Sequence, residues 1–531
     1  MANPGRRKKN TAPVPVIDLF AGPGGLGEGF SSLPGPGEQQ AFKIHLSIEK
    51  DSIAHETLEL RAFFRQFPPG KVPEDYYRFL RQEISRAELF NSHREQAEAA
   101  KAEAWRCTLG VETAAAVREK ISAALGGADR WVLIGGPPCQ AYSLVGRSRN
   151  MGIKNYDLAT DPRQKLYVDY LQVIADHAPA VFVMENVKGL LSAKVKDARI
   201  FEKILSDLRS PCEAILSEGR TTSSASKAPK YRLHSLNPNS DHLTPGILSP
   251  QDFVVRAERH GVPQARHRLI LVGIREDIDA TPGHLQLSEK PTTLSTALAG
   301  LPRLRSGLSG ELDGAVEWKD ALRSLITDRC HGIGKDGRES GEVFARIHQV
   351  LQKLRVPANG RGGEYIPTER PNDFDEGGWY IDPRIGGVCN HSTRSHMRSD
   401  LYRYLFAACF AQVNKRPPSL SDFPNGLLPK HENVDRAIAT GHFSDRFRVQ
   451  LPDRASTTIT SHISKDGHYY IHYDPAQCRS LTVREAARLQ TFPDNYFFCG
   501  GRTAQYTQVG NAVPPLLARG IAEVVYNALK E

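Results

Sequence analysis

A predicted strand that runs into a rigid loop dominates the middle of the first half of the chain. The apolar run Trp131–Gly135 is followed by Gly136, Pro137 and Pro138, and then by a single thiol, Cys139. Glycine and proline end a strand, and proline restricts the backbone that follows. In open α/β sheets, ligands bind at the carboxyl ends of the strands. The alternative interpretation of Cys139 is a small buried apolar residue, as most single cysteines are.

Apolar runs alternate with helical stretches along the first half of the chain. In addition to Trp131–Gly135, strands are predicted at residues 14–20, 44–49, 181–185, 253–257 and 269–274. Strands separated by helices imply a parallel sheet with helices on both faces. A stretch at about 74–125 is dense in Glu, Arg, Lys and Ala, which predicts one or two exposed helices inserted between strands.

The composition and periodicity of the sequence change twice in the second half of the chain. Residues 277–479 are rich in glycine, proline and polar residues and show no strong periodicity. Regular patterning returns near residue 481, and a final helix at 514–529 has one apolar stripe. These shifts predict a basic tail (1–13), a first domain (14–276), an irregular domain (277–479) and a C-terminal segment (480–531) that packs back on the first domain.

Composition narrows the class of protein. The 531 residues are 40% hydrophobic and 24% charged, as in globular proteins, and suggest two large units or three smaller ones. No apolar run approaches the ~20 residues of a membrane span. The eight cysteines contain no C-x-x-C pair, so neither a zinc site nor a disulfide framework is predicted, and reduced thiols in the cytoplasm are expected. The net charge of +9 is typical of proteins with a polyanionic partner, although a generically basic enzyme is the alternative.

A glycine-rich turn follows the first predicted strand. Gly22, Gly24 and Gly27 satisfy G-x-G-x-x-G, a nucleotide-binding pattern when it follows a strand and opens a helix. Glu49 ends the second strand, where an acid accepts hydrogen bonds from ribose hydroxyls. The pattern predicts an adenosine-type cofactor but does not separate a nicotinamide dinucleotide from S-adenosyl-L-methionine.

Polar residues also follow the later strands. Glu185 ends an apolar strand, so we expect it beside the loop that carries Cys139, where a carboxyl group tends to keep its proton and to hydrogen-bond a ring nitrogen. As an isolated acid it would serve as a cap or an ion-pair partner. Arg266 and Arg268 are two residues apart, so in an extended segment their side chains share a face. Their guanidinium groups suit carbonyl or phosphate oxygens. Surface arginines are the alternative.

Six blocks of this sequence, in order, resemble those of the bacterial DNA (cytosine-5) methyltransferases. They are DLFAGPGG (18–25), GGPPCQ (135–140), ENV (185–187), QARHR (264–268), REAARLQTFP (484–493) and QVGNAVP (508–514). The resemblance spans most of the chain. It implies an α/β fold: a Rossmann-like S-adenosylmethionine-dependent methyltransferase domain with a smaller, irregular, mixed target-recognition domain at 277–479.

The resemblance also implies catalytic roles. Cys139 would attack C6 of a cytosine flipped out of the duplex, because a thiolate adds readily and leaves readily. Glu185 would hydrogen-bond and protonate N3, and Arg268 would hold O2 with Arg266 nearby. The base that removes the C5 proton is not evident from the sequence.

Further roles follow from the same resemblance. The residues expected to position the substrate are Gln140, Ser143, Asn186 and Gln264. Those expected to bind S-adenosylmethionine are Asp18, Phe20, Gly22, Gly24, Gly25, Glu49, Pro138, Leu166, Asn511 and Val513. No metal is implied. The family's Asp-Ile pair is absent from the expected place near Cys107–Val111, so the residue that contacts the adenine N6 stays open.

The expected partner is double-stranded DNA, bound by a monomer associated with the bacterial nucleoid. A cognate restriction endonuclease or a phage-defence system is a further expected partner. His391, Arg394, His396 and Arg398 form a polar cluster that either contacts bases or is a solvated loop. Two other functions remain: a Rossmann dehydrogenase, which explains neither Pro-Cys-Gln nor Glu-Asn-Val, and a transfer-RNA methyltransferase, whose Cys-Phe-Thr signature is absent.

Overall fold

The computed structural model of the protein describes most of the chain. The described residues are 12–37, 39–138, 162–192, 194–195, 198–222, 228–238, 248–327, 340–369, 375, 378–431, 433–441 and 443–530. Most of the predicted basic tail, residues 1–11, lies outside them. None of the described helices is both long enough and apolar enough to cross a membrane.

An eight-stranded sheet forms the centre of the first part of the chain. Its strands are β1 (Val14–Leu19), β2 (Phe42–Glu49), β3 (Ala104–Arg106), β4 (Val132–Gly135), β5 (Val181–Val187), β6 (Tyr231–His234), β7 (Val254–Arg256) and β8 (His267–Arg275). The order is β3-β2-β1-β4-β5-β8-β6, and β7 also pairs with β8. All six predicted strands are present, whereas β3 and β6 were not predicted.

The sheet is mixed rather than wholly parallel. Strands β1 to β5 run parallel to their neighbours, but β8 is antiparallel to β5, β6 and β7. The prediction of a parallel sheet was therefore wrong for this edge. The connection from β7 to β8 is too short for the crossover that a parallel pair requires.

Helices cover both faces of this sheet. Those before residue 220 are α1 (Gly25–Ser31), α2 (Ser52–Arg65), α3 (Glu74–Leu80), α4 (Arg86–Ser92), α5 (Arg94–Glu103), α6 (Ala114–Leu125), α7 (Pro162–His177), α8 (Ile200–Arg209) and α9 (Pro211–Ser217). Two-residue strands Lys194–Val195 and Ala198–Arg199 form a separate antiparallel pair. One face packs against α7 through Tyr170 and Ile174, and the other packs against the C-terminal helix.

The stretch at 74–125 is more than a set of exposed helices. It supplies the edge strand β3, and α6 connects that strand to β4. Tyr76, Leu80 and Leu89 from α3 and α4 are buried in one cluster with Phe63 of α2. The prediction of exposed helices was therefore wrong, because the charged residues cover only the outer faces.

Residues 277–479 contain a helical core that the sequence did not reveal. Their helices are α10 (Leu294–Ala297), α11 (Ala315–Thr327), α12 (Ser340–Gln352), α13 (Arg398–Asn414) and α14 (Asn433–Thr440). Trp318, Ile347 and Leu405 are buried together between α11, α12 and α13. Helix α13 is buried along most of its length, and a helix that is apolar all round shows no stripe in the sequence.

Short strands and turns connect these helices. The paired strands are Gly307–Leu308 with Ser395–His396, Gly362–Pro367 with Gly387–Ser392, and Gln264–Ala265 with Ser456–Thr457. Described 3₁₀ turns are Val111–Thr113, Lys188–Ser192, Pro250–Phe253, Ala257–His260, Pro383–Ile385, Leu420–Asp422, Asn425–Leu427, Ser461–Ser464 and His468–Tyr470.

The C-terminal segment packs against the first part of the chain. It contains α15 (Val483–Leu489), α16 (Arg502–Asn511) and α17 (Pro515–Lys530). The apolar stripe of α17, including Leu517, Ile521 and Val525, is buried against the central sheet. Helix α17 also packs closely on α1, where a Cβ built at Gly29 would lie 2.4 Å from the Cβ of Ala518.

Candidate active site

Four neighbouring parallel strands end at the same edge of the sheet. Strand order reverses between β1 and β4, which opens a crevice at their carboxyl ends. The loop Phe20–Gly25 follows β1, Glu49 ends β2, Gly136–Pro138 follow β4, and Glu185 lies near the end of β5. The edge therefore gathers the glycine-rich turn, the acid and the loop before Cys139 that the sequence singled out.

The glycine-rich turn is tied to Glu49 by hydrogen bonds. The backbone N–H of Gly22 donates to Glu49 Oε2 at 2.8 Å, and that of Asp51 donates to Oε1 at 2.7 Å. Gly22 and Gly24 have φ values of 57° and 96°, in the left-handed region that favours glycine. A Cβ at Gly22 would meet no described atom within 4 Å. The turn therefore faces open space beside a fixed carboxylate.

The C-terminal segment closes the other side of this turn. A Cβ at Gly25 would lie 2.2 Å from the carbonyl oxygen of Val513, so only glycine allows this approach. Asn511, at the end of α16, is exposed, and Phe20 and Leu166 are half-buried. The two ends of the chain thus meet at the proposed cofactor site.

Asp18 lies inside β1, below the glycine-rich turn. Its side chain is fully buried, and neither carboxyl oxygen has a hydrogen-bond partner of normal geometry among the described residues. Burial raises the pKa of Asp18 to about 8, against the opposing effects of the Arg65 charge and the Gly27 backbone N–H. Asp18 therefore keeps its proton at neutral pH.

The turn rests on a buried ion pair that sequence reasoning missed. Arg61 Nε donates to Glu28 Oε2 at 2.8 Å, and Tyr496 donates its hydroxyl proton to the Pro23 carbonyl. Arg61 also lies over the Tyr496 ring, with 4.8 Å between Cζ and the ring centroid. No local pattern joins these partners, because 33 residues separate Arg61 from Glu28.

Glu185 and Arg268 form an ion pair at the end of β5. Arg268 Nε lies 2.9 Å from Glu185 Oε1, and both side chains are largely buried. In the antiparallel pairing of β5 with β8, Val187 is opposite Arg268, so Glu185 is the diagonal neighbour of Arg268. Burial lowers the pKa of Arg268, although the Glu185 charge opposes this.

The loop before Cys139 approaches this pair closely. A Cβ at Gly136 would lie 3.0 Å from Glu185 Oε2. Asn186 Nδ2 donates to the Pro137 carbonyl at 3.2 Å, which ties the loop to β5. Pro138 is half-buried, whereas the predicted residues Cys139, Gln140 and Ser143 lie outside the described residues.

Gln264 and Arg266 lie in the interior, away from any open surface. Arg266 Nη1 donates to the carbonyls of Ile459, at 2.7 Å, and Gly510, at 3.4 Å. Gln264 Oε1 accepts from the Ile459 N–H at 2.7 Å, and its Nε2 donates to the Leu489 carbonyl at 3.1 Å. Burial, with Arg268 nearby, lowers the pKa of Arg266. These two side chains join three distant segments beside the Glu185–Arg268 pair.

The block at 484–493 is also internal. Arg488 makes two hydrogen bonds to the Asp494 carboxylate, at 3.0 and 2.8 Å, and Arg484 donates to the Cys389 carbonyl at 2.9 Å. All three charged side chains are fully buried. This block therefore organises the base of the region at 277–479.

The polar cluster at 391–398 is not a solvated loop. His391, Arg394 and His396 are buried, whereas Arg398 is half-buried and pairs with Glu311. His391 Nδ1 lies 2.8 Å from the Thr482 hydroxyl, and Nε2 lies 2.9 Å from the Pro302 carbonyl. Neither interpretation from the sequence therefore fits the first three residues, which are enclosed by protein.

The stretch Cys107–Val111, considered for the adenine contact, follows β3. The Cys107 N–H donates to the Glu49 carbonyl at 3.1 Å, which places this stretch beside the end of β2. Thr108 is exposed and Leu109 is buried.

Comparison with known proteins agrees with this arrangement. The family model for C-5 cytosine-specific DNA methylase matches residues 118–211 and 251–527. Type II methyltransferase M.Bpa9945I of Bacillus paralicheniformis is 31% identical over 97% of this chain and 99% of its own length. Type II methyltransferase M.AgeI of Thalassovita gelatinovora is 26% identical over 97% and 99%, respectively. DNA (cytosine-5-)-methyltransferase M.ApeKI of Aeropyrum pernix is 28% identical over 76% and 83%. With its matching blocks spread over both ends of one α/β sheet domain, the chain belongs to the C-5 cytosine-specific DNA methylase family.

Proposed function

We propose that this protein transfers a methyl group from S-adenosylmethionine to C5 of cytosine within a specific double-stranded DNA sequence. The observation that carries the proposal is the Glu185–Arg268 ion pair, which lies against the loop that leads to Cys139. Carboxyl and guanidinium groups side by side match the N3 and O2 edge of one pyrimidine. Hydride transfer by a dehydrogenase does not require a carboxyl and a guanidinium group arranged to match a pyrimidine edge.

Cys139 is proposed to activate the cytosine ring. Its thiolate adds to C6, the C5–C6 double bond shifts to C4–C5 as Glu185 donates a proton to N3, and the resulting enamine is electron-rich at C5. C5 then forms a bond to the methyl carbon as the bond between that carbon and the sulfonium sulfur breaks, so S-adenosylhomocysteine is the leaving group. A base removes the C5 proton, the electron pair of that bond expels the thiolate and restores the C5–C6 double bond, and N3 returns its proton to Glu185.

Arg268 is proposed to hold the cytosine O2 while it orients Glu185. It already donates to the Glu185 carboxylate and to the His267 carbonyl, so its guanidinium is fixed before substrate enters. Arg266 and Gln264 are proposed as positioning residues, because both are buried and bonded to protein. Asn186 is proposed to position the segment that leads to Cys139, Gln140 and Ser143 through its hydrogen bond to the Pro137 carbonyl.

The crevice edge fits S-adenosylmethionine, which supplies an electrophilic methyl group when bound. Glu49 is proposed to accept hydrogen bonds from the ribose, since its carboxylate is fixed beside the open space at Gly22. The residues proposed to enclose the remainder are Asp18, Phe20, Gly24, Gly25, Pro138, Leu166, Asn511 and Val513. The buried, protonated Asp18 adds no negative charge beneath the turn.

The region at 277–479 is proposed to set the DNA sequence preference. A cytosine inside a duplex does not reach buried side chains, so the target base must be flipped out. Loops on a rigid support commonly carry recognition, and the helical core around Trp318 and Leu405 provides such a support. Two of the relatives are type II methyltransferases, and we propose the same modification role, paired with a restriction endonuclease.

Bisulfite sequencing of DNA from a host that expresses the protein tests the proposal. We expect protected cytosines in one sequence context with the wild type and none above background with Cys139→Ala. The matched control is Cys212→Ala, which removes a buried thiol far from the crevice edge. Methylation by the Cys139→Ala protein would overturn the mechanism, and unmodified DNA in the wild-type host would overturn the proposed activity.

A further inference from the structure

A turn at Thr460–Asp466, here called the junction turn, lies next to the proposed active site. The residue before it, Ile459, accepts a hydrogen bond from Arg266. At its start, the chain packs so closely on α16 that a Cβ at Gly510 would lie 2.3 Å from the Ser461 nitrogen. The junction turn therefore contacts both the segment that bears Arg268 and the helix that ends at Asn511.

Arg394 fixes the far end of the junction turn. Its Nη1 donates to the Lys465 carbonyl at 2.9 Å, and its Nη2 donates to the Ile463 carbonyl. The guanidinium lies over the ring of Tyr506 on α16, with 4.1 Å between Cζ and the ring centroid. Arg394 is only 8% exposed, so it does not reach DNA directly. Arg394 therefore fixes the position of the turn relative to α16.

The near end of the turn is fixed as well. The Tyr470 hydroxyl accepts from the Thr460 N–H at 3.2 Å and donates to the Thr458 carbonyl at 3.0 Å. The Thr458 hydroxyl donates to the Ala265 carbonyl at 2.6 Å. Because both ends are held, side chains on the turn have fixed positions relative to the Glu185–Arg268 pair.

The solvent-facing side of the junction turn is basic. The side chains of His462 and Lys465 are exposed. The acid of the turn, Asp466, lies 3.6 Å from the half-exposed Arg446, so its charge is offset. A rigid turn with an exposed lysine suits a phosphate, which lysine binds as a point charge.

We propose that the junction turn binds a phosphate of the target duplex through Lys465 and that Arg394 is the positioning residue that holds Lys465 there. The inference rests on the proposed function. Phosphate contacts fix the register of a protein on DNA without reading sequence. A contact made on this turn would set the distance between the duplex and the Glu185–Arg268 pair.

The salt dependence of DNA binding tests the role of Lys465. We expect Lys465→Ala to reduce the slope of log Kd against log salt concentration by about 1, the value for one lost phosphate contact. The reduction should be equal for a duplex with the methylated site and for an unrelated duplex. Lys465→Arg should keep the wild-type slope, and so should Lys430→Ala, which removes an exposed lysine elsewhere in the same region. An unchanged slope for Lys465→Ala overturns the proposal.

A double-mutant cycle tests the role of Arg394. We expect Arg394→Gln to reduce the slope as Lys465→Ala does, and the double variant to match either single variant, because both changes remove the same contact. A slope loss that adds in the double variant would contradict the positioning role. If Arg394→Gln does not fold, Arg394→Lys is the second variant, because it keeps the positive charge but loses the guanidinium that reaches two carbonyl groups. An unaltered DNA affinity and slope in Arg394→Lys would contradict the positioning role of Arg394.

The outcomes separate this inference from the proposed function. A wild-type protein that neither binds DNA nor methylates it contradicts the proposed function. A wild-type protein that methylates DNA, with a Lys465→Ala variant of unchanged slope, contradicts only the phosphate contact.

Discussion

Asp18 and Glu185 are acids of the same sheet, on β1 and β5, that lie in different surroundings. Asp18 is enclosed by protein, and burial raises its pKa to about 8 in spite of the nearby Arg65 charge. Glu185 is paired with Arg268 at 2.9 Å and lies beside Gly136. In the proposed mechanism, Glu185 contacts N3 of the cytosine and Arg268 contacts O2, so both members of the pair face the same substrate edge. Glu185 is thus ion-paired, whereas Asp18 is enclosed beneath the glycine-rich turn.

Glu185→Gln tests whether this carboxyl group activates the ring. The amide keeps the shape but has no acidic proton, so we expect the rate of methyl transfer to fall by about a hundredfold or more. Affinity for S-adenosylmethionine should change little. The measurement is single-turnover methyl incorporation into the target duplex, with Glu276→Gln, an exposed acid just beyond β8, as the control. A near-normal rate would show that another group protonates the ring.

At the scale of elements, the contact between α1 and α17 joins the two ends of the chain. A Cβ at Gly29 would lie 2.4 Å from the Ala518 Cβ and 2.6 Å from the Pro515 carbonyl oxygen. The glycine-rich turn precedes α1, and Val513 precedes α17, so the same contact brings Gly25 against Val513. The packing of two helices therefore shapes the proposed cofactor site.

Gly29→Ala should weaken this contact measurably. The added methyl has no space, so the helices must separate or shift, and we expect the free energy of unfolding to fall by about 1–3 kcal/mol. Gly341→Ala is the matched control, since a Cβ there meets no described atom within 4 Å and α12 gains helix propensity. Urea denaturation of both variants and of the wild type measures the free energy of unfolding. Equal stability for Gly29→Ala and the wild type would mean that the two helices adjust without cost.

The elements that could be predicted are those whose signal is local. The strands with long apolar runs, the glycine-rich turn and Glu49 were predicted, because each depends on residues close together in the sequence. Strand β3 was not predicted, because it has only three residues, one of which is the exposed Arg106, and so it shows no apolar run. The interior role of Arg266 depends on Ile459, 193 residues away. Contacts between residues so far apart in the sequence cannot be predicted from the local spacing of residue types.

At the scale of the whole molecule, the two parts of the chain share a continuous interior. Asn390 Nδ2 donates to the Phe498 carbonyl at 3.2 Å, and Tyr77 donates to Asp382 at 2.7 Å. Buried histidines lie at the same junction: His391 and His472 flank the buried Glu485, and His396 lies beside Tyr404. The region at 277–479 is therefore anchored to the catalytic part by polar groups as well as by apolar packing.

The junction histidines should make the protein sensitive to acid. Burial lowers the pKa of His391 and His472 to about 4 and that of His396 to about 3, from an ordinary value of 6.5. The unfolded chain therefore binds protons below pH ~6.5 that the folded chain does not, so stability is full above that pH and is lost as the pH falls. Each histidine contributes about 1.4 kcal/mol per pH unit within this window.

Urea denaturation at pH 7.5, 6 and 5 measures this loss. We expect the free energy of unfolding to decrease as the pH falls, and the three junction histidines to contribute about 4 kcal/mol per pH unit near pH 5. Burial also lowers the pKa of His177 and His234 to about 4, so these two histidines add to the slope. His391→Gln should reduce the slope by about 1.4 kcal/mol per pH unit, because glutamine replaces both hydrogen bonds without a titrating group. The exposed His348→Gln is the control. If His391→Gln and the wild type lose stability in parallel down to pH 5, the junction histidines are not what makes the protein sensitive to acid, and the loss must come from groups elsewhere in the chain.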